Sequence, residues 1–447
     1  MKLAKRIIII GAGFAGLSAG VKLAEAGFEV LVLEARSRLG GRAYSFRDPV
    51  TGDVVDNGQH LFIGCYHHTL AFLDRIGCRD KLGFQPVPRV DFIDREGNRS
   101  TFACPRLPAP LHTLAGLIRL GGLDLGDKLR SLRVGLALRK PNGDRDPLTV
   151  AQWLDLMGQS DRIKKRFWYP MMIATLNEDP EIASARMMKV VLTEIFNNGV
   201  DGARLGIARV GLSDLYTEGA RSFIEDRGGQ VRADAPVTRI QISRSRVSGV
   251  ELKTGEHLTA DFVVSTIPPE PLNRILPDNL RTGEMSGIER LETSPIVSIN
   301  LWFDRPVMEG EFVGLLGTDC QWAFNKNLIL GTRSEANQVA VVISAARRFV
   351  DSTREQLIAM ALSDLKLALP EARAARVIHS TIVKERDATL SHTLESDQLR
   401  PGPRTSAENF FLAGDWTRTG LPATIESAVM SGHTAADLIA AAANRQD

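Results

Sequence analysis

The chain has 447 residues, 44% hydrophobic and 24% charged, enough to bury a large core in more than one domain, which excludes disorder and a single small module. A count of 55 Lys+Arg against 53 Asp+Glu leaves a net charge of +2, without the long-range field that a nucleic-acid partner requires. Cys65, Cys78, Cys104 and Cys320 lie far apart, in neither a C-x-x-C pair nor a metal-ligand spacing, so a reducing, cytoplasmic setting and no metal site are expected.

The first predicted element is a strand, Ile7 through Ile10, preceded by Lys5 and Arg6. Gly11 ends the apolar run too early for an export signal, and unbroken β-branched runs mark parallel strands covered on both faces. No later stretch approaches the ~18 apolar residues of a membrane span, so a soluble protein or one lying on a membrane surface is expected.

Gly11, Gly13 and Gly16 follow, with Phe14 and Ala15 between them. Residues 17–26 then read as a helix stopped by Gly27, and residues 28–33 as a second strand ending in Glu34. In such a βαβ unit Gly11 makes the tight turn, Gly13 lets the backbone approach a pyrophosphate, and Gly16 allows close helix packing. The helix amino terminus offers free N–H groups to the phosphates. Glu34 sits where a carboxylate accepts ribose hydroxyls and repels a 2′-phosphate, so NADP is disfavoured.

The basic, glycine-bearing loop of Ala35, Arg36, Arg38, Gly40, Gly41 and Arg42 is placed to reach back over the same pyrophosphate. Near the other end, Phe410, Phe411 and Leu412 form a short strand that runs into Gly414 and Asp415. Thr424 and Ile425 then open a small-residue helix. A second helix amino terminus and an acid at a strand end suit a longer ligand with a ribityl chain and an isoalloxazine, namely FAD. Alone, Asp415 reads equally well as a turn or capping acid.

The Arg38 to Arg42 loop, the Leu412 to Asp415 strand end and the terminal helix resemble the amine oxidase and carotenoid desaturase group of flavoproteins. A middle segment agrees, with Gly228, Gly229 and Val231, then Val237, Val250 and the strand 260–267 before Pro268. The resemblance implies an α/β fold. A Rossmann-like FAD-binding domain would be assembled from residues 1–75, 210–268 and 385–447, and an α+β substrate domain from 76–209 and 269–384. It also implies that the Val237 backbone meets the adenine, and that Gly58, Gln59 and His60 pass the flavin. Within the substrate domain, residues 296–303 and 339–346 read as strands. Residues 352–369 read as a helix capped by Ser352 or Thr353 before Glu355. No second nucleotide motif follows, so the flavin must exchange electrons with an external partner as well as with the substrate.

Amine-oxidase relatives hold the amine between two aromatic rings, which four tyrosines in all support poorly. Leu125, Leu129, Leu132 and Leu136 share one helix face inside residues 105–140. This stretch carries Arg106, Arg119, Lys128, Arg130, Arg133, Arg139 and Lys140 against Asp124 and Asp127. Two readings stay open: an amphipathic helix on an anionic membrane surface, and a core helix with a solvated basic face. A long isoprenoid already dissolved in a bilayer gains little by entering an apolar tunnel, so an enzyme acting on one must collect it at the membrane.

Further strings resemble the bacterial hydroxysqualene dehydroxylases: Val55 to His60, Leu176 and Asn177 with Ala183 and Ser184, Leu412 to Thr417, and Gly420 to Glu426. The resemblance implies that reduced FAD converts hydroxysqualene to squalene in hopanoid or squalene synthesis, at the cytoplasmic face of the membrane. Loss of the hydroxyl as water requires a proton donor. His60 is the first candidate, as an imidazolium, against the alternative of a histidine positioning the flavin or a turn. Asn177, Glu178 and Lys384 follow. The rival functions are a phytoene-type desaturase, a flavin amine oxidase, and an escort protein that holds a prenylated partner without redox work.

Overall fold

The computed structural model describes residues 5–138, 147–332 and 336–445. A parallel five-stranded sheet carries the amino-terminal motif. It is built on β1 (Arg6–Ile10), followed by helix α1 (Phe14–Glu25) and β2 (Glu29–Leu33). Its order is Gln230–Arg232, β2, β1, Phe262–Ser265 and Phe410–Leu412, so distant parts of the chain meet in one sheet. Alternate residues of β1 enter different cores. Ile7 and Ile9 pack with α1, the helix Leu212–Glu225 and the carboxy-terminal helix Ile425–Arg445. Ile8 and Ile10 pack with the small antiparallel sheet of Val237–Ser243, Arg246–Leu252 and His257–Thr259. Burial on both faces explains the unbroken isoleucine run.

The helices on the first face come unusually close. A Cβ at Gly432 of the terminal helix would lie 2.3 Å from the Ala15 carbonyl oxygen on α1. Helix α2 (His67–Arg75) closes this layer. Its first N–H groups, from His68 and Thr69, donate at 2.8 Å to the buried Glu426 carboxylate at the start of the terminal helix. Glu426 is thereby a joint between two helices.

The second sheet has seven strands, ordered Val377–Leu390, Thr293–Phe303, Asn337–Ile343, Trp322–Asn325, Phe312–Leu316, Arg89–Asp94 and Arg99–Ala103. Val297, Ile299, Leu301 and Phe303 face the helix Arg354–Ala368. That helix is capped by Thr353, but its reciprocal partner is Gln356, because position N3 and not Glu355 at N2 reaches back to the cap N–H. The opposite face of the sheet forms a second apolar layer with helices α3 (Leu111–Arg119) and α4 (Leu125–Ala137) and those that follow.

Helix α4 is inverted relative to an ordinary surface helix. Its buried residues are Asp127, Ser131 and Val134, whereas Leu125, Leu129, Leu132 and Leu136 are 73, 57, 37 and 61% exposed. The core-helix reading of this stripe is therefore corrected: Asp127, the N3 partner of the capping box whose N-cap is Asp124, turns inward and accepts from Ser160 Oγ at 2.5 Å, which fixes the leucines outward. Arg139 and Lys140, included in the basic stretch, lie outside the described residues. Among the described residues no helix is long and apolar enough to cross a membrane.

Candidate active site

The carboxy ends of β1, β2, Phe262–Ser265 and Phe410–Leu412 point the same way, so Gly11, Glu34, Thr266 and Gly414 gather along one edge of the sheet. Gly11 has φ +105° and Gly16 packs against it; a Cβ at Gly16 would stand 1.9 Å from the Gly11 carbonyl oxygen. Gly13 is the N-cap of α1 and makes no side-chain cap hydrogen bond to the first turn. A helix amino terminus in that condition suits an anion.

The loop after β2 folds back onto this turn. Gly40 N–H donates to the Ala12 carbonyl at 2.9 Å, and a Cβ at Gly41 would come within 3.2 Å of Gly13 Cα. Tyr216, stacked on Phe14 with centroids 3.7 Å apart, donates its hydroxyl to the Gly40 carbonyl at 2.8 Å. The Arg38 guanidinium lies 3.2 Å from the Tyr44 ring centroid, and burial lowers its pKa. Arg36 and Arg38 both approach the Gly41 carbonyl at 3.5 Å, while Ala35 is exposed.

Glu34 is buried, its carboxylate accepting from the N–H groups of Ala12 and Arg36, each at 3.0 Å. Its backbone is bonded by Ala235 and Arg232, which brings the segment leading to Val237 alongside. Val237 itself is only partly buried and opens the small sheet opposite Leu252.

At the other end of the sheet edge, Arg42 pairs with Asp415 and donates to the Ala388 carbonyl at 3.2 Å. Gly414 has φ +131° and its N–H donates to Ser431 Oγ at 2.7 Å. Thr424 Oγ1 accepts from Ser427 N–H at 3.2 Å, so it caps the terminal helix, and Ile425 packs into the core beneath. The uncapped α1 terminus, the glycine cradle of Gly11, Gly13, Gly16 and Gly41, and the acid Glu34 together fit a dinucleotide laid from Glu34 across α1 towards Arg42 and Asp415.

Gly58 and His60 lie between this edge and the seven-stranded sheet. A Cβ at Gly58 would be 3.8 Å from both His60 Cε1 and Ser298 Oγ. His60 Nδ1 is 3.0 Å from the Gly58 carbonyl oxygen, which can only accept, so Nδ1 carries the proton and Nε2 is left as the acceptor. Burial lowers the His60 pKa. The ring is therefore neutral near pH 7, and donation from Nε2 requires prior protonation. Gln59 is held from both sides: its amide nitrogen donates to Asp56 at 3.2 Å and its oxygen accepts from Lys326 at 3.3 Å.

Three sequence candidates are placed elsewhere. Asn177 is in the left-handed region and buried. Its amide donates to the Ser294 carbonyl and Thr389 Oγ1 and accepts from Ala345 N–H, all within 3.0 Å, so it is consumed in knotting the fold. Lys384 is exposed and its ammonium donates to the Ser352 carbonyl at 2.5 Å, away from the Arg42–Asp415 pair. Alternation on that strand turns its neighbour Glu385 inward instead, 3.1 Å from Asn57. Glu178, fully buried, accepts from Arg347 and Ser391 and is likewise spent.

Three residues that sequence reasoning missed hold the site in place. Lys326 and Asp56 form a buried pair at 2.6 Å, and Asp56 also accepts from Leu212 N–H at the start of a helix. Buried Arg400 donates to the carbonyls of Asp415, Thr417 and Leu421, clamping the turn after Gly414. His392 Nε2 accepts from Ala423 N–H at 2.7 Å, just before the terminal helix. No motif marks any of them; each reaches a partner far away in the chain, apart from Arg400, whose only cue is the Pro401 turn beside it.

A model of the family described as flavin containing amine oxidoreductase matches residues 14–440. The chain is similar to a hydroxysqualene dehydroxylase of Rhodopseudomonas palustris, 33% identical, with 98% of this chain and 99% of the relative covered. A 15-cis-phytoene desaturase of Synechococcus elongatus is 24% identical over 99% of this chain and 96% of its own. A solved putrescine oxidase bound to putrescine superposes with a TM-score of 0.72 at 18% identity, covering 98% of this chain and 99% of that one.

Proposed function

The chain belongs to the flavin-containing amine oxidoreductase family and is an FAD-dependent oxidoreductase, and from that premise we propose that it acts on a long isoprenoid, reducing hydroxysqualene to squalene with loss of water. One observation carries the substrate class. The apolar layer beneath the seven-stranded sheet reaches from Leu61, beside His60, through Phe92, Trp322 and Phe324 to Leu117, Leu120 and Val134 under α3 and α4. An apolar wall of this kind favours a hydrocarbon neighbour; of the four tyrosines, Tyr169 packs against the layer and three are engaged in other ways. Tyr216 is buried on Phe14, Tyr44 lies under Arg38, and Tyr66 contacts Thr424. The relatives from Rhodopseudomonas and Sinorhizobium, at 33 and 31% identity, favour the dehydroxylation.

The balance is simple. The allylic C–O bond breaks as the hydroxyl takes a proton and leaves as water, and bound reduced FAD supplies the hydride that quenches the delocalised cation. This chain's part is to hold the hydroxyl near His60, whose Nε2 accepts a hydrogen bond when neutral and delivers a proton when charged. Apolar walls keep water from the cation. Arg42, Asp415 and the 57–60 loop would hold the ring system when FAD is bound. Turnover would need an external two-electron donor to the bound flavin, and the proposed place of work is the cytoplasmic face of a membrane where the substrate is dissolved.

The test is anaerobic mixing of the dithionite-reduced protein with hydroxysqualene, following flavin reoxidation and extracting product. Reoxidation with squalene formed supports the proposal. The Synechococcus relative favours a second reading, desaturation of a phytoene-type polyene. Silence with hydroxysqualene, together with reduction of the oxidised flavin by phytoene, would move the assignment there.

A further inference from the structure

Of the twelve large hydrophobic side chains exposed among the described residues, seven fall between residues 107 and 136. Leu107 and Leu111 flank an exposed loop, Ile118 lies on α3, and Leu125, Leu129, Leu132 and Leu136 form the outward stripe of α4. A soluble helix of this composition would rotate its leucines inward. Here that rotation is blocked, because Asp127 is locked inside by Ser160 and by the helix cap, and Gln159 donates to the Arg130 carbonyl at 2.9 Å. The exposed leucines are thus a fixed property of the fold.

We propose that the α3–α4 face seats on an anionic phospholipid bilayer, leucines in the acyl boundary and cations at the headgroups; the purpose rests on the isoprenoid reading above. Charge decides the occupant. Lys128, Arg130 and Arg133 share α4 with the stripe, and Arg106 and Arg119 are exposed just before it in the chain. The two acids among them are spent within the protein: Asp127 is buried, 3.9 Å from Arg130 and 3.6 Å from Arg162, and Asp124 pairs with Arg162 at 2.8 Å, so the exposed acid is answered by a further cation from outside the stretch. A second copy of the chain, docked through the same face about a two-fold axis, would set these cations against one another. An anionic surface complements them, and such helices lie ~5–10 Å deep in the boundary. Directly beneath the stripe, Val134 with Leu117 and Leu120 begins the apolar layer that reaches Leu61 beside His60. The face is therefore the outer side of the same apolar layer whose far end packs Leu61 beside His60.

The experiment is co-sedimentation of the full-length FAD-loaded protein with phosphatidylcholine vesicles, with and without roughly one-third phosphatidylglycerol. The parent should pellet with the anionic vesicles. A combined Leu125→Gln, Leu129→Gln, Leu132→Gln, Leu136→Gln variant should lose more than ~10-fold in binding, and Arg130→Gln with Arg133→Gln should lose the preference for phosphatidylglycerol. Both variants should stay yellow and keep the parent's rate on detergent-dispersed substrate, which shows that they fold. A parent that ignores both kinds of vesicle overturns the proposal. So does a parent dimer that the leucine variant turns into monomer, since the occupant is then a second copy. Absence of squalene in detergent, with vesicle binding intact and leucine-dependent, would sink the dehydroxylase reading and leave the docking face standing.

Discussion

Helices α1 and α4 are of similar length and both carry a regular apolar pattern, yet they are used in opposite ways. In α1 ten of twelve residues are buried, including two glycines that let the sheet and neighbouring helices approach. In α4 three of thirteen are buried, two of them polar, and the leucines face outward. Periodicity defines a stripe; what lies on either side of the helix decides which way it turns. Leaving a leucine exposed forgoes roughly 1.5–3 kcal/mol relative to burial, and the four on α4 are the ground for the proposed bilayer contact. The flavin framework around α1 should therefore be intolerant of substitution and α4 tolerant.

The largest effect is expected where the framework buries charge. Lys326 and Asp56 are 1 and 5% exposed, and Lys326→Met would leave a carboxylate without its partner under the 57–60 loop. Breaking such a pair costs about 3–5 kcal/mol. Denaturant unfolding should show this loss together with weakened flavin retention, and an unchanged midpoint would mean that the pair does not brace the site.

Acid should act on the same framework. His433, on the terminal helix beside His68, has its pKa lowered to about 4, first by burial and then by Lys22, His68 and Arg75. The neutral ring is favoured on folding, so its contribution is complete above the unfolded value near 6.5 and is lost as pH falls from there towards 4. The difference amounts to roughly 3 kcal/mol. Thermal melts between pH 7 and 4 should decline, and His433→Gln should flatten that decline.

Gly16→Ala comes next. The added Cβ would meet the Gly11 carbonyl at 1.9 Å, so α1 must shift away from the turn. Overpacking of this kind costs about 1–3 kcal/mol. The shift also moves the α1 amino-terminal N–H groups that would hold the phosphates of bound FAD, so flavin titration should show weaker binding even where the melt changes little.

The contrast between helices also explains what the sequence made legible. Gly11, Gly13, Gly16 and Glu34 were readable because a tight turn, a close approach and a terminal acid each need one residue type at one spacing. The parallel sheet was readable from Ile7 to Ile10 because burial on both faces removes polar alternation. Lys326, Arg400 and His392 were hidden, since a buried polar residue gains its meaning from its partner, and Asp56 is 270 positions from Lys326. Asn177 and Lys384 misled for the same reason: an amide can orient a hydroxyl and an ammonium can carry a proton, but their hydrogen bonds tie them to Ser294, Thr389 and Ser352. For α4 the leucine stripe was plain, but its outward turn depended on Ser160, which lies beyond the helix.

The smallest expected effect is also the sharpest check on that turn. Leu129 is 57% exposed and Val134, on the same helix, is fully buried. Leu129→Gln should change stability by no more than about 0.5 kcal/mol, as for other surface positions. Val134→Ala, which opens space against Leu117 and Leu120, should cost more, on the order of 1–2 kcal/mol. Paired melts in detergent-free buffer compare the two directly. If Leu129→Gln proves as costly as Val134→Ala, the leucines are buried in solution, and α4 is an ordinary core helix whose outward stripe has been mistaken for a membrane face.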